Sequence, residues 1–277
     1  MKYKIVADSS SSVMELEGIP YTSVPLKIIS EEKEYVDNAD LNVFEMLEDF
    51  KHVSGPVTTS CPNVYEWKQA FEGADEVYAL SITSGMSGSY VAGHQAAVDY
   101  MEEHEGSKVF MMDTLSVGPL MRLQMEKLQV ILPQERSFEE NVEEIKAYRK
   151  HLDLVFSVES LQTLARNGRV SPTVAKLAGV LGIRLVGTGD KENGTLVPLH
   201  KARGERRMLN TMWEEMKKKG YQGGKVRIDH CLNLSAAMEL KERVVKEFPE
   251  ADVQIGTSTG LCGFYSERGG LIVGFEI

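Results

Sequence analysis

Short apolar runs alternate with helix-spaced stretches through the first half of the chain. Val77, Tyr78, Leu80 and Ile82 make a β-prone run, and Val91, Ala92, Ala96 and Val98 then switch to helical spacing, so Glu76 to Tyr100 predicts strand, loop and helix. The same reading predicts a buried strand at Tyr3 to Ala7, an extended stretch at Tyr21 to Ile29 and an amphipathic helix through Leu41, Phe44, Leu47 and Val53. A helix beginning near Pro62 or Asn63 follows, with Ser60 or Cys61 near its N-cap position. Lys108 to Met112 reads as a strand, and Gly118-Pro119 leads into a helix that reaches Leu132. A charged helix over Phe138 to Lys150 precedes a strand at Leu152 to Val158. Strands alternating with helices in this way describe a parallel sheet with helices on both faces. The boundary is expected after that strand, giving an N-terminal α/β domain of residues 1–158.

Residues 159–277 read differently and predict an α+β domain with a mixed sheet. Glu159 to Ala165 is helical, Asn167-Gly168 suits a left-handed cap, and Ser171-Pro172 opens another helix. Ile183 to Gly187 and Leu196 to His200 flank a turn cluster ending at Gly194 and predict an antiparallel hairpin. A helix from Arg203 to Lys219, a strand at Lys225 to Asp229, a helix at Leu234 to Phe248 and strands at Asp252 to Thr257 and Gly269 to Ile277 complete the pattern. The apolar stretch Val174 to Val186 is interrupted by Lys176 and Arg184 and falls short of a membrane span.

The loop Thr83 to Ser89, TSGMSGS, is rich in hydroxyls and glycine and opens a helix. Free backbone N–H groups at the positive end of a helix dipole, beside the hydroxyls of Thr83, Ser84, Ser87 and Ser89, make a place for an anion. No common phosphate or nucleophile template fits it. A phosphate loop needs Lys and Ser/Thr after its last glycine, where Ser89 and Tyr90 stand. A nucleophile elbow needs glycine two residues after Ser87, where Ser89 stands, and the glycine spacing does not match a dinucleotide fingerprint. Asp8 to Ser12, Thr59-Ser60 and Asp113-Thr114 are further polar strand ends, and ligands in such sheets collect at the carboxyl ends of the strands. Lys201, Arg203, Arg206 and Arg207 gather where a helix begins, against its dipole, which suits either an anionic partner or solvated arginines paired with Glu205.

A net charge of −10 argues against a nucleic-acid footprint, so any anion site is local. Cys61, Cys231 and Cys262 are odd in number and unclustered, suggesting neither a disulfide framework nor zinc and fitting a reducing cytoplasm. The N-terminus is too short in apolar residues for a signal-peptide core. His52, His94, His104, His151, His200 and His230 show no metal-ligand spacing.

Taken in order, these motifs resemble the DegV family of bacterial fatty-acid-binding proteins, over nearly the whole chain. Asp8-Ser9-Ser10 is similar to the family's DS turn, Thr59-Ser60-Cys61-Pro62 to its TSxP, and Thr83 to Tyr90 to its SSxLSGTY. Asp113-Thr114, LQTLARNGRVS (Leu161 to Ser171) and Ala202-Arg203-Gly204 resemble its DS/DT turn, EYLxxGGRIS and VRG. The resemblance implies a Rossmann-like first domain that holds a long-chain fatty acid in a tunnel, with the carboxylate near the domain junction. It implies Thr59, Ser60, Ser84, Gly85, Ser87, Arg169, Ser258 and Thr259 as ligand-binding residues, and Arg169 and Arg203 as facing the head group and a partner. That partner is a dihydroxyacetone-kinase-like fatty acid kinase, which phosphorylates the carboxylate with ATP. The carrier then does no chemistry and needs no metal or other cofactor, and transient membrane contact serves its loading. Cys61, Ser89, Asn167 and Ser258 depart from the family pattern, Ser258 standing where the family has His. Two other readings stand beside this one: a serine hydrolase using Ser84 or Ser87, with His94 as the nearest base, and a nucleotide-binding enzyme.

Overall fold

The computed structural model describes residues 2–176 and 182–277. Its strands are β1 (Tyr3–Asp8), β2 (Tyr21–Val24), β3 (Lys27–Ile29), β4 (Glu34–Val36), β5 (Thr58–Ser60), β6 (Glu76–Ser81), β7 (Lys108–Asp113), β8 (Leu152–Val158), β9 (Ile183–Gly189), β10 (Leu196–Arg203), β11 (Val226–His230), β12 (Val253–Thr257) and β13 (Leu271–Glu276). The helices are α1 (Val43–Asp49), α2 (Val64–Phe71), α3 (Ser89–Glu103), α4 (Pro119–Ile131), α5 (Phe138–Arg149), α6 (Gln162–Arg166), α7 (Pro172–Ala175), α8 (Glu205–Lys218), α9 (Leu234–Glu247) and α10 (Gly260–Ser266).

The first sheet has the order β2-β1-β6-β7 and is parallel throughout. Successive side chains on its strands leave by opposite faces. Val6, Val77 and Ala79 therefore meet Trp67, Phe71, Ala96 and Tyr100 of α2 and α3, while Ile5, Ala7, Tyr78 and Leu80 meet Met121, Met125 and Leu128 of α4 and Ile145 of α5. Helices on both faces leave β6 buried along its whole length. Capping boxes start α2 and α5: Asn63 with Glu66, and Ser137 with Glu140. The cap of α2 is thus Asn63 and not Ser60 or Cys61, because Thr58–Ser60 is extended as β5.

The second sheet has the order β10-β9-β8-β13-β11-β12, with every pair antiparallel except β11 and β12. Val155, Val226 and Val273 pack on Met212, Leu240 and Val244 of α8 and α9. Leu154 and Phe156 turn the other way, towards Leu120 and Leu123 of α4. Helix α4 is therefore a layer shared by both sheets. A Cβ added at Gly274 would lie 2.7 Å from the Leu120 amide nitrogen, so β13 and the start of α4 meet backbone to backbone.

The expected division after Val158 is corrected here. Strand β8 is bonded on both sides inside the second sheet, to β13 and to β9, so a division at 158 removes one of that sheet's central strands. Its apolar run says strand, but not which edge it joins. A third, small antiparallel sheet, β4-β3-β5, was not expected; its Ile28 and Tyr35 pack with Met46 of α1 and Phe264 of α10. The hairpin β9-β10 is present, and Gly168, at φ 72°, follows α6 as a left-handed cap residue. The helix opened by Ser171-Pro172 is α7, and part of the apolar stretch 174–186, residues 177–181, lies outside the described residues. Among the described residues no helix is long and apolar enough to cross a membrane.

Candidate functional site

The carboxyl ends of the first sheet's strands are tied together by acids that accept backbone and hydroxyl donors. Asp8, ending β1, accepts the Ile82 amide at 2.9 Å and the Ser89 hydroxyl at 2.6 Å, and also the Ser10 hydroxyl. Full burial raises the pKa of Asp8 above the usual carboxylate value even with these donors. Asp113, ending β7, accepts the amides of Ser84 and Leu115, each at 3.1 Å. Asp37 accepts the Gly260 and Leu261 amides at 2.6 and 2.9 Å, and the Ser9 hydroxyl at 2.9 Å, which fixes the start of α10. Burial pushes its pKa up to about 6.

These loops form one side of a cavity of about 360 Å³, and the α4-facing side of the second sheet forms the other. Ile82, Leu115 and Val117 come from the first side, and Leu152, Leu154, Phe156, Val158 and Ile272 from the second. The cavity is therefore not a tunnel within the first domain, because half of its apolar wall is the second sheet. At one end Thr59, Ser60, Ser87, Gly88, Arg169 and Tyr265 gather. The Thr59 and Tyr265 hydroxyls are 2.8 Å apart. Burial raises the Tyr265 pKa and keeps its proton in place. The Arg169 guanidinium is held by Nε donating to the Met86 carbonyl at 3.2 Å and Nη1 donating to the Asn167 carbonyl. Among the described residues it has no carboxylate partner. The amides of Ser87 and Gly88, where α3 begins, donate to no protein acceptor among the described residues. Free amides, hydroxyls and an unpaired cation at the end of an apolar cavity make a receptor for a carboxylate.

The structure sorts the expected site residues. Thr59, Ser60, Ser87 and Arg169 line the cavity. Ser84 does not: it is exposed, and Asp113 holds its amide on the outer side of the loop. Gly85 is a packing residue, since a Cβ there would lie 2.2 Å from the Asn193 carbonyl oxygen of the β9-β10 turn. Gly194 of that turn, at φ 66°, leaves no room either, as its Cβ would fall 1.9 Å from the Thr83 hydroxyl. Ser258 and Thr259 lie behind the wall. Thr259 donates to the Ser9 carbonyl at 3.1 Å, and the buried Ser258 hydroxyl has no partner among the described residues. Nearby Asp229 is fully buried with Oδ2 unpartnered, and burial pushes its pKa up to about 7, partly offset by Arg122. Arg203 is exposed at the end of β10, away from the cavity wall, beside exposed Arg206 and Arg207. Glu205 does not pair with these arginines: its carboxylate lies 3.7 Å from Arg184.

Sequence reasoning missed Tyr265, which sits on α10. No helix was expected there, and α10 forms because Asp37 receives its first amides. It also missed the cavity's other end, where Asp153, Gly189 and Lys191 lie. The hydrolase reading finds no base: His94 is exposed on α3 against Tyr90, and among the described residues no histidine lines the cavity. Among the described residues no cluster of three or more His, Cys, Asp or Glu side chains is placed to hold a metal.

Comparison with known proteins extends this picture. Residues 2–276 match the family model described as "Uncharacterised protein, DegV family". A DegV domain-containing protein of Streptococcus pneumoniae is 36% identical over 281 residues, covering 100% of both chains. A DegV family protein of Eubacterium eligens, solved loaded with heptadecanoic acid, superposes with a TM-score of 0.96 at 38% identity, covering 99% of each chain. The Streptococcus pneumoniae Fatty Acid Kinase (Fak) B3 protein, solved loaded with linoleic acid, superposes with a TM-score of 0.97 at 36% identity over 100% of both chains.

Proposed function

Starting from the fact that this chain belongs to the DegV family, we propose that it is a fatty-acid carrier that presents its ligand to a separate kinase. One observation carries the reading: an apolar cavity that ends in Thr59, Ser87, the Ser87 and Gly88 amides and Arg169, which among the described residues have no protein acceptor and no carboxylate partner respectively. Burying an acyl chain of about sixteen carbons at ~0.8 kcal/mol per methylene supplies on the order of 10 kcal/mol before ordering costs. The carboxylate, once drawn from water, is met by charge-assisted donors without a metal. Among the described residues no histidine lines that end to activate its hydroxyls or the Cys61 thiol, and in this reading reaction of the bound acid falls to the partner. A kinase that brings ATP makes an acyl phosphate, and the exposed Arg203, Arg206 and Arg207 offer it a local basic surface on an acidic protein. The two loaded structures support the fatty-acid half of this reading, and the one named a Fatty Acid Kinase (Fak) B3 protein supports the kinase half.

Native mass spectrometry of freshly purified protein tests it. The expected result is a mass adduct that denaturation releases as a long-chain fatty acid. Protein that stays free of adduct after incubation with such acids, while hydrolysing esters or binding nucleotides, overturns the proposal.

A further inference from the structure

The cavity is polar at both ends, and the two ends differ in kind. Along β8 the wall residues run from Val158, packed with Leu164 just before Arg169, to Leu152. The six steps from Val158 to Leu152, at a rise of ~3.3 Å, make this wall about 20 Å long. A fully extended chain advances roughly 1.2 Å per bond, by the three backbone bonds of an extended residue, so an acid of about sixteen carbons spans most of that wall. At the Leu152 end, Lys191 of the β9-β10 turn both lines the cavity and is 54% exposed, so its side chain stands between the cavity and solvent. Its ammonium lies 2.8 Å from Oδ2 of Asp153, which is 5% exposed. The other oxygen of Asp153 is taken by Lys219 at 3.0 Å and by the Leu154 amide at 2.8 Å. Unlike Arg169, this cation is already neutralised by a fixed carboxylate and has no call on a ligand's charge. What remains for the cavity is its aliphatic stem, which a long cation of this kind lays along apolar surface while its head stays outside.

Resting on the fatty-acid reading above, we propose that Lys191, pinned to Asp153, is the end stop for the acyl tail and sets the longest chain the cavity holds. The pin matters because it holds the stem in one place: Asp153, 5% exposed, is itself fixed by Lys219 and the Leu154 amide. The tail's methyl end then meets methylenes and not water. A longer acid has to break the ion pair or leave its last carbons in solvent.

The test uses the full chain, stripped of lipid and offered an equimolar mixture of saturated acids of fourteen to twenty-two carbons. The retained acids are read by mass spectrometry. Lys191→Ala shifts the retained pool to longer chains, with the ratio of twenty-carbon to sixteen-carbon acid rising by at least about tenfold, the discrimination one methylene carries at a closed pocket end. Lys191→Arg, which restores a long stem and the ion pair, returns the ratio towards wild type. The site is half exposed in a turn, so both variants fold, and melting curves verify it. A loaded wild type whose chain-length profile is unchanged in Lys191→Ala overturns this inference and leaves the carrier reading standing. A wild type that retains no fatty acid overturns both.

Discussion

Replacing Arg169 by Met removes a cation from the polar end of the cavity, where the proposed function seats the carboxylate, while keeping much of its length and its apolar stem. Of the five N–H donors on a guanidinium, Nε–H and one on Nη1 serve the Met86 and Asn167 carbonyls. The rest are free for a ligand. A hydrogen bond to a charged group is worth about 1.5–3 kcal/mol, so the loss of this partner weakens binding by roughly ten- to a hundredfold. Part of any loss will come from the two carbonyls left without a donor, and that part is the same for a neutral ligand. The assay therefore compares hexadecanoic acid with its methyl ester on lipid-free protein, both below their aggregation thresholds, by displacement of a fluorescent fatty acid. Wild type should prefer the acid, and Arg169→Met should lower the acid-to-ester affinity ratio by about the factor given above. Ser87→Ala should move the ratio in the same direction by less. Ser84→Ala should leave it unchanged, since that side chain is exposed outside the cavity. An unchanged ratio in Arg169→Met, or an effect of Ser84→Ala equal to that of Ser87→Ala, refutes the placement of the carboxylate.

Gly194→Ala should cost roughly 2 kcal/mol or more through its left-handed φ and the clash with Thr83, whereas Gly189→Ala, which meets nothing within 4 Å, should stay within about 0.5 kcal/mol; urea denaturation reads both. Asp229 has a folded pKa raised to about 7, so the folded state binds more protons than the unfolded one and wild type loses stability as pH rises from about 4 towards 7. Asp229→Asn should remove that decline and be more favoured relative to wild type at pH 8 than at pH 4; parallel stability curves in denaturant would contradict this. Arg203→Glu should sharply reduce kinase-dependent phosphorylation of the bound acid with ligand occupancy nearly unchanged, and an equal fall in both would show that the residue serves retention.

The layered first sheet was legible because its apolar strands alternate with helix-spaced segments, and the hairpin β9-β10 because its turn residues are explicit. The membership of β8 was not, since a buried strand looks the same in either sheet and only its hydrogen-bonded neighbours decide. The polar end of the cavity was half legible. The hydroxyl-rich loop does border the cavity, but which serine faces it depends on Asp8 and Asp113 pinning the loop from two sides, and that pinning turns Ser87 in and Ser84 out. Ser258 was misplaced for a related reason: a position in a motif gives the backbone's course, while burial behind β11 decides what its hydroxyl meets. Tyr265 and Lys191 reach the cavity from a short, glycine-containing helix and a turn, where no periodicity marks a wall residue.

Strand β13 lies between β8 and β11, yet it is made after both. Chains fold from the N-terminus as they are synthesised, so the first sheet and its loops can form while the second still consists of two unjoined parts, β8-β9-β10 and β11-β12. Only when Leu271 to Glu276 has left the ribosome do those parts join and the wall opposite the loops become continuous. Until then the edge of β8 that β13 covers is open and Ile272 is missing from the wall, while Tyr265, on α10, arrives only just ahead of β13.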